Sequence, residues 1–100
     1  MVLAIVKGHV VSSAKVDALE GEKLLVVEIL AATPEGLQHT QKHMVCIDAV
    51  QAGEGELVVV VQGSSARQAS EMKDVPVDAL IVGIVDSLKA FGQELEKEVS

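Results

Sequence analysis

The segment at residues 57–62 reads LVVVVQ, and a second apolar run, LIVGIV, follows at residues 80–85. Apolar runs without alternation are typical of strands that are buried on both faces. A parallel pair would need a crossover of roughly a dozen residues. Six residues separate the run at 57–62 from a strand-like run at 43–50, so these two strands are antiparallel if they are neighbours. These constraints favour a small closed barrel whose outer wall is partly covered by another subunit.

Two further runs complete a set of five strands. Residues 2–11 are apolar at first and alternate later, and residues 23–31 place Leu25 and Val27 on one face. The tetrapeptide Thr33-Pro34-Glu35-Gly36 predicts a turn, because proline presets one φ angle and glycine accepts a positive one. The expected fold class is all-β, a five-stranded barrel with short helices.

Two helical segments are expected around these strands. Ser65 and Gln68 have the S-x-x-Q spacing of a capping box, which predicts a short helix over residues 65–72, after the fourth strand. The tail at residues 87–100 is expected to form a second helix, outside a domain that spans residues 1–86. Its apolar residues recur at helical spacing. They are Leu88, Phe91, Leu95 and Val99.

Composition excludes several classes of function. The chain has 100 residues, a formal net charge of −7 and an aromatic content of 1%. Nucleic-acid-binding surfaces need basic tracks and often stacking aromatic side chains, and anionic membranes attract basic segments, so we expect neither partner. One cysteine cannot form an internal disulfide, and no apolar run approaches the length of a membrane span. We therefore expect a cytoplasmic protein of one domain, with part of its aliphatic surface buried between subunits.

The pattern of reactive residues predicts no catalytic site, metal or cofactor. His39 and His43 have the spacing of zinc ligands on a helix, but His43 begins a predicted strand on which Cys46 faces the opposite way. The pair Ser64-Ser65 lacks the context of a nucleophile elbow. The glycines of Gly53-Glu54-Gly55 flank a carboxylate, where a dinucleotide-binding loop would approach a phosphate, and this favours a tight turn.

Arg67 is the only arginine beside seven lysines. Its planar guanidinium suits a bidentate contact with a carboxylate. The first turn of a helix is a poor place for a cation, so a contact elsewhere is expected to hold this side chain. We expect that contact to cross a subunit boundary to Glu54 or Glu56. The alternative interpretation is an arginine on the surface of a helix.

Six motifs carry a resemblance to a known family. They read LAxVxGxVVSS at 3–13, LxGxKLLxV at 19–27, DxVxAGxGE at 48–56, GSSAR at 63–67, PxD at 76–78 and IVGIVD at 81–86. In this order and spacing they resemble the EutN/CcmL family of bacterial microcompartment vertex proteins, over about residues 2–86. Gln51 departs from the family motif, which usually has glycine there.

The resemblance implies a specific fold and function. The expected fold is a five-stranded barrel of OB-like topology. The expected assembly is a homopentamer that caps the five-fold vertices of a cytoplasmic shell, beside facets built from hexameric shell proteins. No catalytic activity and no cofactor are implied. The subunit interface or pore loop is expected at Gln51, Ala52, Gly53, Glu54, Gly55, Glu56, Gly63, Ser64, Ser65 and Arg67.

Two other classes of function were weighed. An OB-like binding module of a cytoplasmic complex would present a basic groove with stacking aromatic side chains. Phe91 is the single aromatic residue of the chain and cannot supply such a groove. An enzyme would need a coherent site, which the pattern of residues does not predict.

Overall fold

Five strands form a closed barrel. The computed structural model describes residues 1–11, 23–63 and 79–99. The strands are β1 Val2–Val10, β2 Leu24–Thr33, β3 Gly36–Asp48, β4 Leu57–Gln62 and β5 Ala79–Ile84. Their order around the barrel is β1-β2-β3-β5-β4, and neighbouring strands run antiparallel, apart from the short parallel pairing of β3 with β5. This confirms the predicted closed five-stranded barrel.

The predicted helix over residues 65–72 lies outside the described residues, together with Ser64, Ser65 and Arg67. In the three segments that the structure covers, no helix has the length and apolar character needed to cross a membrane.

The strand β4 lies between β1 and β5, away from β3.

Small and medium-sized aliphatic side chains fill the interior of the barrel. β1, β2, β4 and β5 each contribute two alternate residues, as a half-buried sheet requires, and β3 contributes one. Cys46 is one of these core residues, and burial raises the pKa of its thiol to about 11, so the thiol stays protonated at neutral pH. The buried interior residues are Ala4, Val6, Leu25, Val27, Cys46, Ala52, Val58, Val60, Ala79 and Ile81.

The strand β3 begins seven residues earlier than predicted, at Gly36 instead of His43. It forms a long hairpin with β2, in which Thr33 pairs with Gly36 across the two-residue turn Pro34-Glu35. The predicted turn is therefore confirmed. Between Gly36 and His43 the sequence is largely polar, so this part of the strand does not appear as an apolar run.

The predicted helix in the tail is wrong. The structure places a hairpin there, with β6 at Leu88–Ala90 and β7 at Gln93–Leu95. Phe91 and Gly92, between these strands, both have positive φ, of 57° and 74°, which is the pattern of a type I′ turn. Glycine adopts this conformation readily, and it costs a residue with a side chain about 1–2 kcal/mol.

The hairpin packs on the outside of the barrel. Leu30, Leu37 and Leu57 form a buried cluster there, which we call the outer cluster. Leu88 packs against this cluster, and Leu88 pairs with the buried Leu95 across the hairpin. Leu88 and Leu95 thus lie on two short strands, although their spacing also fits one face of a helix, and Val99 packs on the outer cluster after the hairpin.

A buried carboxylate organises an irregularity in the β2–β3 hairpin. The pairing slips between Ile29 and Leu30, and Gln41 adopts a positive φ of 61°. Glu28 is buried beside this bulge. Its Oε1 lies 2.9 Å from Nδ1 of His39, and its Oε2 accepts a hydrogen bond of 3.0 Å from the backbone N–H of Gln41.

These contacts predict a dependence of stability on pH. The hydrogen bond with His39, aided by that from Gln41, lowers the pKa of Glu28 below its ordinary value, although burial opposes the shift. A lowered folded-state pKa adds stability above the ordinary value, and this stability is lost as the pH falls through the folded-state value. We expect urea unfolding to show a steeper acid loss of stability in the wild type than in Glu28→Gln.

The matched control is Glu35→Gln, which removes an equal charge from the exposed end of the same hairpin. It is expected to keep the steep acid loss of the wild type. An identical pH profile for Glu28→Gln and the wild type would contradict this role of Glu28.

Candidate subunit interface

The loop at residues 51–56 joins β3 to β4 and is fixed from inside the protein. Ala52 is fully buried and belongs to the interior of the barrel. Asp48, at the end of β3, accepts hydrogen bonds from the backbone N–H groups of Val50 (3.0 Å) and Ala52 (2.8 Å). The Asp48 side chain is 0% exposed, so it defines the path of the chain as it leaves the strand.

Lys23, the residue before β2, contacts both Asp48 and the loop. Its Nζ lies 3.7 Å from Oδ2 of Asp48 and donates a 3.2 Å hydrogen bond to the carbonyl of Ala52. The backbone N–H of Asp48 also donates to the carbonyl of Lys23, at 2.9 Å. The ammonium group therefore compensates a carboxylate that is removed from water, as buried charges require.

The second half of the loop is attached to β1. Gly55 donates a 2.8 Å hydrogen bond to the carbonyl of Val6, and Val6 donates a 3.0 Å hydrogen bond to the carbonyl of Glu56. Oε1 of Glu56 accepts a hydrogen bond of 2.6 Å from the backbone N–H of Gly53. The Glu56 side chain thus stabilises the loop to which it belongs, whereas Glu54 lies exposed at the turn.

Gln51 has a φ of 59°, in the left-handed region. This explains why a glycine would suit the position, since a side chain there is strained. Gln51 is exposed, so its side chain faces the surface of the loop while the next residue, Ala52, fills the interior.

The loop 51–56 and Gly63 lie at opposite ends of β4 within one subunit, because the loop precedes this strand of six residues and Gly63 follows it. A strand rises by about 3.3 Å per residue, so the loop and Gly63 are roughly 20 Å apart. Gly63 is exposed and has a φ of 64°. Ser64, Ser65 and Arg67 follow it outside the described residues.

The histidines do not converge with the cysteine. His43 is exposed and pairs across the sheet with Glu28, whereas Cys46 points into the barrel, as the strand offset predicted. His39 interacts with Glu28. Within residues 1–11, 23–63 and 79–99, no three residues among His, Cys, Asp and Glu are close enough to hold a metal ion.

The sequence matches the family described as ethanolamine utilisation protein EutN/carboxysome, over residues 1–86. The chain belongs to the EutN/CcmL family. A relative from Salmonella typhimurium, named bacterial microcompartment shell vertex protein EutN, is 42% identical over an alignment of 95 positions that covers 93% of this chain and 91% of that protein. The resemblance drawn from the six motifs is therefore confirmed.

Solved structures of EutN/CcmL proteins share the fold. CcmL from Gloeobacter violaceus has a TM-score of 0.85 at 34% identity, and 96% of each chain is covered. GrpN from Rhodospirillum rubrum, a pentameric microcompartment shell protein, has a TM-score of 0.78 at 44% identity and covers 90% of this chain and 99% of its own. Asp48 and Ala52 both lie within residues 1–86, the part of this chain that matches the family.

The contacts of Asp48 predict its contribution to stability. Asp48→Ala leaves two backbone N–H groups without their acceptor and Lys23 without its carboxylate, so we expect a loss of about 2 kcal/mol or more in the free energy of unfolding. Asp48→Asn keeps one oxygen acceptor and should lose less. The measurement is urea unfolding at fixed protein concentration, because assembly makes stability depend on concentration.

Asp86→Ala is the control, since it is the same substitution at an exposed aspartate after β5 and should change stability by less than about 0.5 kcal/mol. Equal effects of Asp48→Ala and Asp86→Ala would show that the Asp48 carboxylate does not hold the loop.

Proposed function

We propose that five copies of this chain form a closed ring that caps a five-fold vertex of a bacterial microcompartment shell. The observation that carries the proposal is the likeness to the pentameric GrpN structure, at 44% identity and over 90% of this chain. In this role the protein is structural and catalyses no reaction. Its setting is the cytoplasm, and hexameric shell proteins are its neighbours in the shell.

The outer surface of the barrel supports assembly. Val45 on β3 is 51% exposed and pairs with the half-buried Val26 on β2, and Ile84 at the end of β5 is 37% exposed. A ring contact joins two different surfaces of each subunit and repeats until the rotation closes. Burial of these aliphatic side chains by neighbouring copies would stabilise the ring by about 25 cal/mol for each square ångström removed from water.

The ends of β4 suggest which polar groups meet in the ring. The loop 51–56 and Gly63 lie at opposite ends of this strand, and Arg67 follows Gly63 by four residues in the sequence, so a contact between Arg67 and the loop is easier across a subunit boundary than within one barrel. Glu56 is already bonded to Gly53, and this leaves the exposed Glu54 as the better partner for Arg67. We propose that Arg67 of one copy binds Glu54 of the next.

The proposal predicts the mass of the protein in solution. Five chains of 10.5 kDa give about 52.5 kDa, and native mass spectrometry at micromolar concentration is expected to show this species as the main one. A stable monomer would contradict the ring. A hexamer would retain the fold but contradict the vertex role.

The proposed ion pair predicts that Arg67→Ala shifts the pentamer toward smaller species. Truncating one partner of a buried pair typically costs about 3–5 kcal/mol, against about 0–1 kcal/mol for an exposed pair. Arg67→Lys should restore assembly only in part, because lysine keeps the charge and loses the bidentate geometry. Sedimentation velocity across a dilution series measures the shift.

Lys42→Ala is the matched control, since it removes an equal charge from an exposed site on β3. It is expected to remain pentameric. If Arg67→Ala stays pentameric at nanomolar concentration, like this control, then Arg67 is a surface residue without a role in assembly.

A further inference from the structure

Phe91 is an unusual residue for its position in the hairpin. It is the only aromatic residue of the chain, and at the tip of the β6–β7 hairpin it is 57% exposed. It also has a φ of 57°. Turns of this kind favour Asn, Asp or Gly at that position. A bulky apolar residue that is both strained and exposed contributes little to the stability of its own hairpin, and strained backbone conformations cluster at active sites, ligand clamps and switch regions.

The body of the hairpin is held firmly to the barrel. Leu95 is buried, and Leu88 packs on the outer cluster. Nε2 of Gln93, the second residue after Phe91, donates a hydrogen bond of 2.6 Å to the carbonyl of Pro34 in the β2–β3 turn. The phenyl ring is therefore presented on a fixed support, which lowers the entropy lost when a partner binds.

An acidic cleft lies between β7 and the β2–β3 turn, and Gln93, the second residue after Phe91, is part of its lining. Its volume is about 260 Å³. Four exposed glutamates contribute to its lining, and among the described residues that line it there is no lysine or arginine. These four are Glu35, Glu94, Glu96 and Glu98.

We propose that Phe91 and this acidic cleft together form a docking surface for a protein that offers an apolar pocket beside lysine or arginine side chains. Hot spots of protein interfaces, the few residues that supply most of the binding energy, are often aromatic anchors surrounded by polar groups. Charge complementarity disfavours a second copy in the same orientation, because its own glutamates would face these. This inference rests on the proposed function, in which the partner is a hexameric facet protein of the same shell.

The decisive variant is Phe91→Asn. Asparagine followed by Gly92 suits a type I′ turn, so the variant should fold and melt at least as well as the wild type while it lacks the ring. Phe91→Tyr keeps an aromatic ring. The double variant Glu35→Gln, Glu98→Gln keeps Phe91 and removes two charges from the cleft.

The experiment measures binding of each purified variant to the purified hexameric facet protein by biolayer interferometry, with native mass spectrometry of each variant beside it. We expect Phe91→Asn to lose at least about tenfold in affinity, Phe91→Tyr to stay close to the wild type, and the double variant to bind more weakly with a shallower dependence on salt. All variants should keep the assembly state of the wild type.

Three results would overturn the inference. Equal affinity of Phe91→Asn and the wild type would exclude the ring as an anchor and leave the vertex role intact. Paired pentamers that Phe91→Asn separates would identify a second copy as the occupant instead. A wild-type pentamer that binds no facet protein would overturn both the docking surface and the proposed shell partner, and a wild type that is not pentameric would overturn the vertex role itself.

Discussion

The pairing of β4 with both β1 and β5 closes the barrel, and the other features of the molecule depend on this closure. Five strands enclose a small interior, which alanine, valine and a few larger aliphatic side chains fill. Ala52 reaches this interior from the loop after β3. The remaining apolar side chains must be covered on the outside, where the C-terminal hairpin covers the outer cluster and, in our proposal, neighbouring subunits cover Val45 and Ile84. In our proposal, recognition by this protein is therefore a property of its outer surface.

Much of the fold could be predicted from the sequence, because a short strand that is buried on both faces appears in the sequence as a continuous apolar run. The valine run of β4 and the turn at Pro34-Glu35 are examples, and both predictions are confirmed. The tail was mispredicted because Leu88 and Leu95 lie at a spacing that serves a helix and a short hairpin equally well. The positive φ angles of Phe91 and Gly92 show that the tail forms a hairpin. A phenylalanine at the first turn position does not predict such a turn, because type I′ turns favour Asn, Asp or Gly there.

The sequence indicates the loop at residues 51–56 as a candidate interface segment, but it does not predict the side chains that hold this loop in place. Asp48 and Lys23 are 25 residues apart in the chain, and their contact depends on the pairing of β2 with β3. Glu28 is similar, because its polar surroundings come from a bulge in the partner strand. Such contacts are products of register, which single-sequence patterns specify weakly when a strand is polar. Gln51 is the exception, since the departure from glycine in the family motif marks a backbone position with positive φ.

The central claim is that the filled barrel assembles through its outer surface and leaves the tip of the hairpin free. The most direct test is a structure of the purified assembled particle by electron cryomicroscopy. We predict a five-fold ring in which Val45 and Glu54 are buried between neighbouring copies and Phe91 lies exposed outside the ring contacts. A particle without five-fold symmetry, or a ring in which Phe91 is buried between copies while Val45 and Glu54 face solvent, would contradict this account.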